Sequence, residues 1–552
     1  MTLQLYEHQQ KSIDEISQKF ETNQRVLYQL PTGGGKTIVF SFLSKKWIEL
    51  TQKKVLVLCH RVELVNQTIG SLNQLSITCE AVEAKTKHLK HNCDVYVAMV
   101  QTASNRLKVN PGFFKDIDLI IIDECHCLIF EKIFNYFPFA KILGCTATPV
   151  LNKKITFYKC QHCKKIGEAI CCGEEPIEWT RPYTMSEIYQ DIVIGASISD
   201  LISDGKLVTD LNFVIDYVDT SKLKIDNKTN DYSTQSLDET YNSENAIFNC
   251  VLNYEQTCKG KKTLVFNSTT KSNLLIYQRF KDAGYNVRLF DTVNTKESGN
   301  RKELIKWFRD EPDAILCNVG AFTTGFDETT VQAIVLNTST QSLSLFLQMV
   351  GRGGRASNKI YKDNFIVIDG GKNISKHNEW SDNTRDWRRI FFEGLTKPKA
   401  KKEPLDVTQQ CISCGYIMSK AVDVCPGCGY EFIAKEKKEK VESDTIAKPL
   451  GKMPLPNGQK IYEYTKRNNE DLSFALRILV NQIFDLFIFY KITKEQYIGN
   501  REDGRLKRKL EQLSTPCYMM LVFKTDLVSN SNRTKEYLIN KIITKLNKHY
   551  GE

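Results

Sequence analysis

A chain of 552 residues is too long for one hydrophobic core, and about 150 residues per domain gives three or four units. A hydrophobic content of 41% with 26% charged residues is that of a globular protein, and the net charge of +11 suits a polyanionic partner. No N-terminal run has the charged start, apolar centre and small-residue cleavage site of a secretory signal, and 18 cysteines without such a signal argue for reduced thiols. The expected setting is therefore intracellular, in cytoplasm or nucleoid, or in the host cytoplasm for a viral chain, and neither secreted nor membrane-bound.

Short apolar runs at 26–29, 54–59, 94–99, 119–122 and 142–144 alternate with longer amphipathic stretches, a pattern that predicts a parallel sheet covered by helices. Residues 150–208 read as irregular, with a cysteine-rich insertion at about 153–180, and the polar stretch 216–244 reads as a connecting loop. A second strand series follows at 262–266, 286–290, 314–318, 333–336 and 365–368. Lysine-rich stretches, Lys397 to Lys402 and Lys435 to Lys440, then bracket a second cysteine cluster and read as linkers. The apolar segment 484–490 lies in a stretch that also holds Arg477 and Asp485, which predicts a buried helix and excludes a membrane span. Residues 451–552 carry 18 Lys+Arg against 11 Asp+Glu, with a dense run from Arg505 to Lys509 that is either a polyanion-binding surface or a solvated helix face. The expected fold class is α/β: two tandem lobes with parallel sheets (1–195 and 196–395), a cysteine-paired unit (396–440) and a basic, mostly helical C-terminal domain (441–552).

Two stretches carry nucleotide chemistry. The first, Gln29-Leu30-Pro31-Thr32-Gly33-Gly34-Gly35-Lys36-Thr37, falls between an apolar strand and a helical stretch. Its glycines let successive N–H groups turn toward phosphate oxygens, the helix N-terminus adds positive potential, Lys36 reaches the outer phosphates and the Thr37 hydroxyl can ligate magnesium. The second, Leu119-Ile120-Ile121-Ile122-Asp123-Glu124-Cys125-His126, puts two carboxylates at the C-terminal end of a buried strand, where α/β proteins bind ligands. Asp123 is the expected magnesium ligand, and Glu124 the residue that orients and polarises the attacking water.

Together these stretches resemble the DEAD/DEAH-box motors of superfamily two, and further stretches fall in that family's order. Tyr6 and Gln9 resemble the Q motif, which implies that Gln9 reads the adenine edge. Cys59-His60-Arg61-Val62-Glu63-Leu64 is similar to motif Ia and Val100-Gln101-Thr102 to motif Ib, which in the family face the nucleic-acid backbone. Thr146-Ala147-Thr148 matches motif III, Leu264-Val265-Phe266 motif IV, Thr323-Thr324-Gly325-Phe326-Asp327 motif V, and Gln348-Met349-Val350-Gly351-Arg352-Gly353-Gly354-Arg355 motif VI. The resemblance implies two RecA-like lobes with ATP held by Gln9, Thr32, Gly33, Gly34, Gly35, Lys36, Thr37 and Asp123, and contacted by Gly325 and Asp327. Gln348 would touch the attacking water, and Arg352 with Arg355, three apart at a glycine-rich helix start, would face the γ-phosphate. The spelling of motifs V and VI is closest to RadD-like repair helicases and restriction-enzyme motor subunits, which favours DNA over RNA as the track.

Cys411-Ile412-Ser413-Cys414 and Cys425-Pro426-Gly427-Cys428 have the spacing of a structural zinc ribbon, whose four thiolates leave no position for water. A ribbon after the motor is also found in RadD-like proteins. Cys160, Cys163, Cys171 and Cys172, with His162 as an outside candidate, form either a second zinc site or a set of reduced, half-buried thiols. Trp380 and Trp387, beside Arg385, Arg388 and Arg389, read as core packing in preference to base-stacking platforms.

The expected activity is that of an ATP-, Mg2+- and Zn2+-dependent DNA helicase or translocase in repair, recombination or replication, acting on single-stranded or forked DNA. An RNA helicase, a duplex-DNA translocase that never separates strands, and a nucleic-acid-binding scaffold with a degenerate ATPase are the alternatives. The C-terminal domain is expected to bind the substrate or dock a replication or repair protein.

Overall fold

In the computed structural model the described residues are 4–395, apart from 128–129, 152, 160–165, 168–176, 216, 227–228, 292–299 and 324, followed by 408–410, 417–419, 448–450, 461, 472–489, 506, 510 and 531–550. The apolar runs become strands with almost no exposed position because helices cover both faces of each sheet. The first sheet holds β1 (Arg25–Gln29), β2 (Lys54–Cys59), β3 (Cys79–Val82), β4 (Val95–Met99), β5 (Ile117–Asp123) and β6 (Lys141–Thr146). The chain then forms a small antiparallel sheet from β7 (Lys154–Lys159), β8 (Ile166–Gly167) and β9 (Ile177–Pro182), and returns to the edge of the first sheet as β10 (Asp191–Ile194). The order β10-β1-β6-β5-β2-β4-β3 is parallel throughout. This brings the loops after β1, β5 and β6 to one point on the C-terminal edge.

The second sheet begins with β11 (Thr209–Val214). A short hairpin of β12 (Ile225–Asp226) and β13 (Asp231–Tyr232) precedes β14 (Thr263–Asn267), β15 (Val287–Phe290), β16 (Ile315–Asn318), β17 (Ala333–Asn337) and β18 (Asn364–Asp369). Its order is β15-β16-β14-β17-β18-β11, parallel, with β21 (Lys448–Leu450) added antiparallel to β11. A separate antiparallel pair joins β19 (Thr408–Gln410) to β20 (Ile417–Ser419). Each lobe has a core on both faces of its sheet. Among the described C-terminal residues, helices Leu472–Phe489 and Ser531–Tyr550 pack together through Leu479, Ile483, Leu538 and Ile542. No helix among the described residues is long and apolar enough to cross a membrane.

Two readings need correction. Residues 150–208 are not irregular, since they carry β7, β8, β9 and the edge strand β10. The stretch 216–244 is more than a loop: Ser233 accepts a hydrogen bond from the Ser236 N–H and so caps a helix, Thr234–Tyr241, whose Tyr241 is buried with its hydroxyl 2.6 Å from Ser339 Oγ.

Candidate active site

β1 ends at Gln29, whose Nε2 donates to the Ala147 carbonyl at 2.9 Å, and the chain then turns through residues 30–35 before the helix Lys36–Thr51. Gly33 and Gly35 both sit at φ +90°, a left-handed conformation that a side chain would strain, and Gly35 caps the helix. Lys36 is buried in the first turn; its Nζ donates to the Leu30 carbonyl at 3.2 Å and lies 4.0 Å from Glu124 Oε1. Thr37 is the next residue of that turn. Gln9 Nε2 donates to the Gly34 carbonyl at 3.2 Å while its Oε1 accepts the Tyr6 N–H, so the first helix, Glu7–Thr22, is tied to the loop.

Asp123 closes β5 and accepts the Glu124 N–H at 3.1 Å; Glu124 itself sits at φ +54°, which turns its carboxylate toward Lys36. Burial, with Glu124 alongside, pushes Asp123 up to about 7. Burial acts the same way on Glu124, but the neighbouring positive charge, Lys36 foremost, outweighs it and holds Glu124 below its usual range. Glu124 Oε2 accepts no hydrogen bond and lies 3.4 Å from His126 Nδ1. Two adjacent buried carboxylates, with one carboxylate oxygen unsatisfied, are donors suited to a magnesium ion.

His126 has no assigned role in the sequence reading beyond completing the motif, yet it links three of the motifs. Its Nδ1 lies 3.0 Å from Thr146 Oγ1 and its Nε2 lies 3.4 Å from Gln348 Nε2 in the second lobe. Burial lowers its pKa, so it acts there as a neutral imidazole. Thr148 crosses the same cleft, donating from Oγ1 to Ser344 Oγ at 2.7 Å. Ser344 carries no sequence signal, being a small polar residue in a mostly apolar helix.

Motif VI is not a helix start. The helix Leu343–Val350, capped by the Ser342 hydroxyl, ends at Gly351, and Arg355 instead forms a β-bridge with Leu207. The turn leans on the phosphate loop: a methyl placed on Gly351 would lie 3.5 Å from Thr32 Cβ, and one on Gly33 would lie 3.4 Å from Arg355 Cγ. Arg352 is buried, and its guanidinium donates to the Thr323 carbonyl at 2.9 Å and the Phe326 carbonyl at 2.6 Å. Arg355 donates to the Phe326 carbonyl and pairs with Asp327. Both arginines thus anchor motif V, and Arg355 also lies against Gly33 of the phosphate loop. Gly325, at φ +69°, packs against Glu63 of the first lobe; Thr324 lies outside the described residues.

The structure therefore brings Gln9, Thr32, Gly33, Gly34, Gly35, Lys36, Thr37, Asp123, Glu124, Gln348, Arg352 and Arg355 to one cleft, with Gly325 and Asp327 held beside it by motif VI. Trp380 is a core residue, packed edge-on to Phe365. Cys160, Cys163, Cys171, Cys172, His162, Cys411, Cys414, Cys425 and Cys428 lie outside the described residues. Among the described residues nine cysteines are free, and no group of three or more His, Cys, Asp or Glu is placed to hold a metal ion.

Residues 2–151 match the res subunit domain of type III restriction enzymes, and residues 244–357 match the helicase conserved C-terminal domain. A 51.5 kDa protein of Lactococcus phage (isolate 7-9) is 27% identical over 84% of this chain and 92% of its own length. IRC3 of Saccharomyces cerevisiae, provisionally named an ATP-dependent helicase, is 27% identical over 66% of this chain and 51% of its own. The EcoAI type I restriction enzyme endonuclease subunit of Escherichia coli is 24% identical over 65% of this chain and 44% of its own. The alignments with the last two thus span about half of each relative. With these domains and relatives, the chain is an ATP-hydrolysing enzyme of the superfamily-two helicase type that acts on nucleic acid.

Proposed function

We propose that this enzyme of the superfamily-two helicase type is a DNA helicase or translocase whose single ATP site is completed by both lobes. The observation that carries the reading is the seat of motif VI on the phosphate loop, with Gly351 against Thr32 and Arg355 against Gly33. Gln9, Thr32 to Thr37 and Asp123 would bind the nucleotide, and Thr37 with Asp123 would hold magnesium, which supplies charge neutralisation on the phosphate oxygens. Glu124, kept anionic by its cationic neighbours, accepts the proton of the attacking water as its oxygen bonds to the γ-phosphorus and the bond to the leaving diphosphate breaks. His126, neutral and in reach of both Thr146 and Gln348, passes the state of the carboxylate pair across the cleft. Arg352 and Arg355, released from the Thr323 and Phe326 carbonyls, would stabilise the transferring phosphoryl charge.

Motif Ia already touches the second lobe across the cleft, through Arg61 donating to the Ala321 carbonyl, just before motif V, at 3.0 Å and Glu63 paired with Arg301 of the helix Arg301–Asp310 at 3.0 Å. A strand laid over both lobes would then feel each opening and closing, and would be held mainly through its phosphates. DNA is favoured by the spelling of motifs V and VI, with RNA as the second track, and repair, recombination or replication is the proposed setting. The lactococcal phage relative suits a host cytoplasm. We also assign zinc to Cys411, Cys414, Cys425 and Cys428; the antiparallel pair of β19 and β20, which brackets Cys411 and Cys414, suits a knuckle.

ATP hydrolysis measured side by side with single-stranded DNA, duplex DNA, forked DNA and RNA tests the reading. Strongest stimulation by single-stranded or forked DNA is expected. Stimulation by RNA alone would replace the track, and none by any of the four would reduce the chain to a nucleic-acid-binding scaffold.

A further inference from the structure

A cleft of about 970 Å³ lies outside the ATP site, where the strand-start edge of the second sheet meets the two C-terminal helices. Its basic residues come from four stretches of chain. Lys259 and Lys261 precede β14, Lys359 and Lys362 precede β18, Arg477 stands on the helix Leu472–Phe489, and Lys545 and Lys548 stand on Ser531–Tyr550. Among the described lining residues these seven basic side chains face three carboxylates. Each carboxylate is engaged within the wall: Glu255 with Lys259 at 2.8 Å, Asp485 with Lys261 at 3.0 Å, and Asp363 with Gln482 Nε2. Tyr361, Phe484 and His549 lie among the cations, and Lys545 sits 4.3 Å over the Phe484 ring. Cations spread over a long wall, interleaved with rings, suit a chain of phosphates better than a single anion, which one fork of donors would serve.

The cleft floor is wired to motif VI. Lys362 Nζ donates to the backbone carbonyl of Arg355 at 2.9 Å and of Thr329 at 3.3 Å, and the segment between Arg355 and Asp363 runs directly from one site to the other. Burial, with Arg355 beside it, pulls Lys362 down to about 7, and an anion in the cleft would favour its charged form.

We propose that this cleft is a second nucleic-acid-binding site, gripping the phosphate backbone outside the motor track and linked through Lys362 to the motif VI arginines. The inference rests on the nucleic-acid motor reading. Its test uses the full chain carrying K359E and K548E, two exposed positions outside the ATP site, and reads the binding of a labelled DNA oligonucleotide across a salt series. Losing two phosphate contacts should weaken binding roughly tenfold near 0.1 M salt and shrink the slope of log K against log salt by about 1.4 for a single strand or about 1.8 for duplex. ATP hydrolysis without nucleic acid should stay unchanged. Affinity and slope equal to the wild type, or an equal loss in a control with K53E and K85E on the first lobe, would overturn the cleft. A wild-type chain that binds no oligonucleotide would instead overturn the motor reading beneath it.

Discussion

Thr148 of the first lobe donates a 2.7 Å hydrogen bond to Ser344 of the second, two residues after Thr146, whose hydroxyl lies 3.0 Å from His126 Nδ1. Both hydroxyls are buried, so the bond is screened from water and its loss leaves Thr148 unsatisfied. Ser344→Ala should cost about 1–2 kcal/mol of lobe closure. The expected outcome is a several-fold drop in nucleic-acid-stimulated ATP turnover with nucleotide affinity unchanged, checked by steady-state ATPase and nucleotide-binding titrations; equal stimulation in variant and wild type would show that the contact carries no coupling.

Gly33 is constrained twice, by φ +90° and by a methyl position only 2.8 Å from Leu207 Cδ2. Gly33→Ala therefore strains the loop by about 1–2 kcal/mol and wedges the lobes apart. ATP turnover should fall by about a hundredfold or more while the melting temperature moves by only a few degrees, as read by differential scanning calorimetry.

His377 Nε2 lies 3.0 Å from the Thr340 carbonyl and its ring stacks on Phe346, at the base of the motif VI helix. Burial, with Lys376 and Arg385 nearby and only Asp231 and the Thr340 carbonyl opposing, pulls its pKa down to about 4. The unfolded chain binds more protons than the folded one between about 4 and 6.5, so stability rises with pH through that window and is lost as pH falls from 6.5 toward 4. His377→Gln should flatten this part of the curve of melting temperature against pH. An unaltered acid slope in the variant would place the sensitivity elsewhere.

Much of the fold and most of the site were legible because buried parallel strands are continuous apolar runs and because phosphate chemistry demands fixed residue types at fixed spacing. β11 was missed for a physical reason: Asp210 and Asn212 interrupt its apolar pattern, yet both are buried, with Asn212 Nδ2 donating to Asp210 at 2.9 Å. β7 and β9 alternate polar and apolar residues in a cysteine-rich stretch, a pattern that reads as irregular chain. The glycines of motif VI suggested a helix start, whereas the Ser342 cap and the apolar run after it show where the helix begins and why Gly351 ends it. His126 and Ser344 act across the cleft, and contact between residues about 200 positions apart leaves no local trace in a sequence.

The proposed ATP site is divided between two lobes, with Glu124 and Lys36 on one side and Arg355 on the other. Single-turnover hydrolysis by Arg355→Ala, with nucleotide binding titrated in parallel, tests it most directly. Turnover lower by about a thousandfold with nucleotide still bound is the predicted result; hydrolysis at the wild-type rate would contradict it.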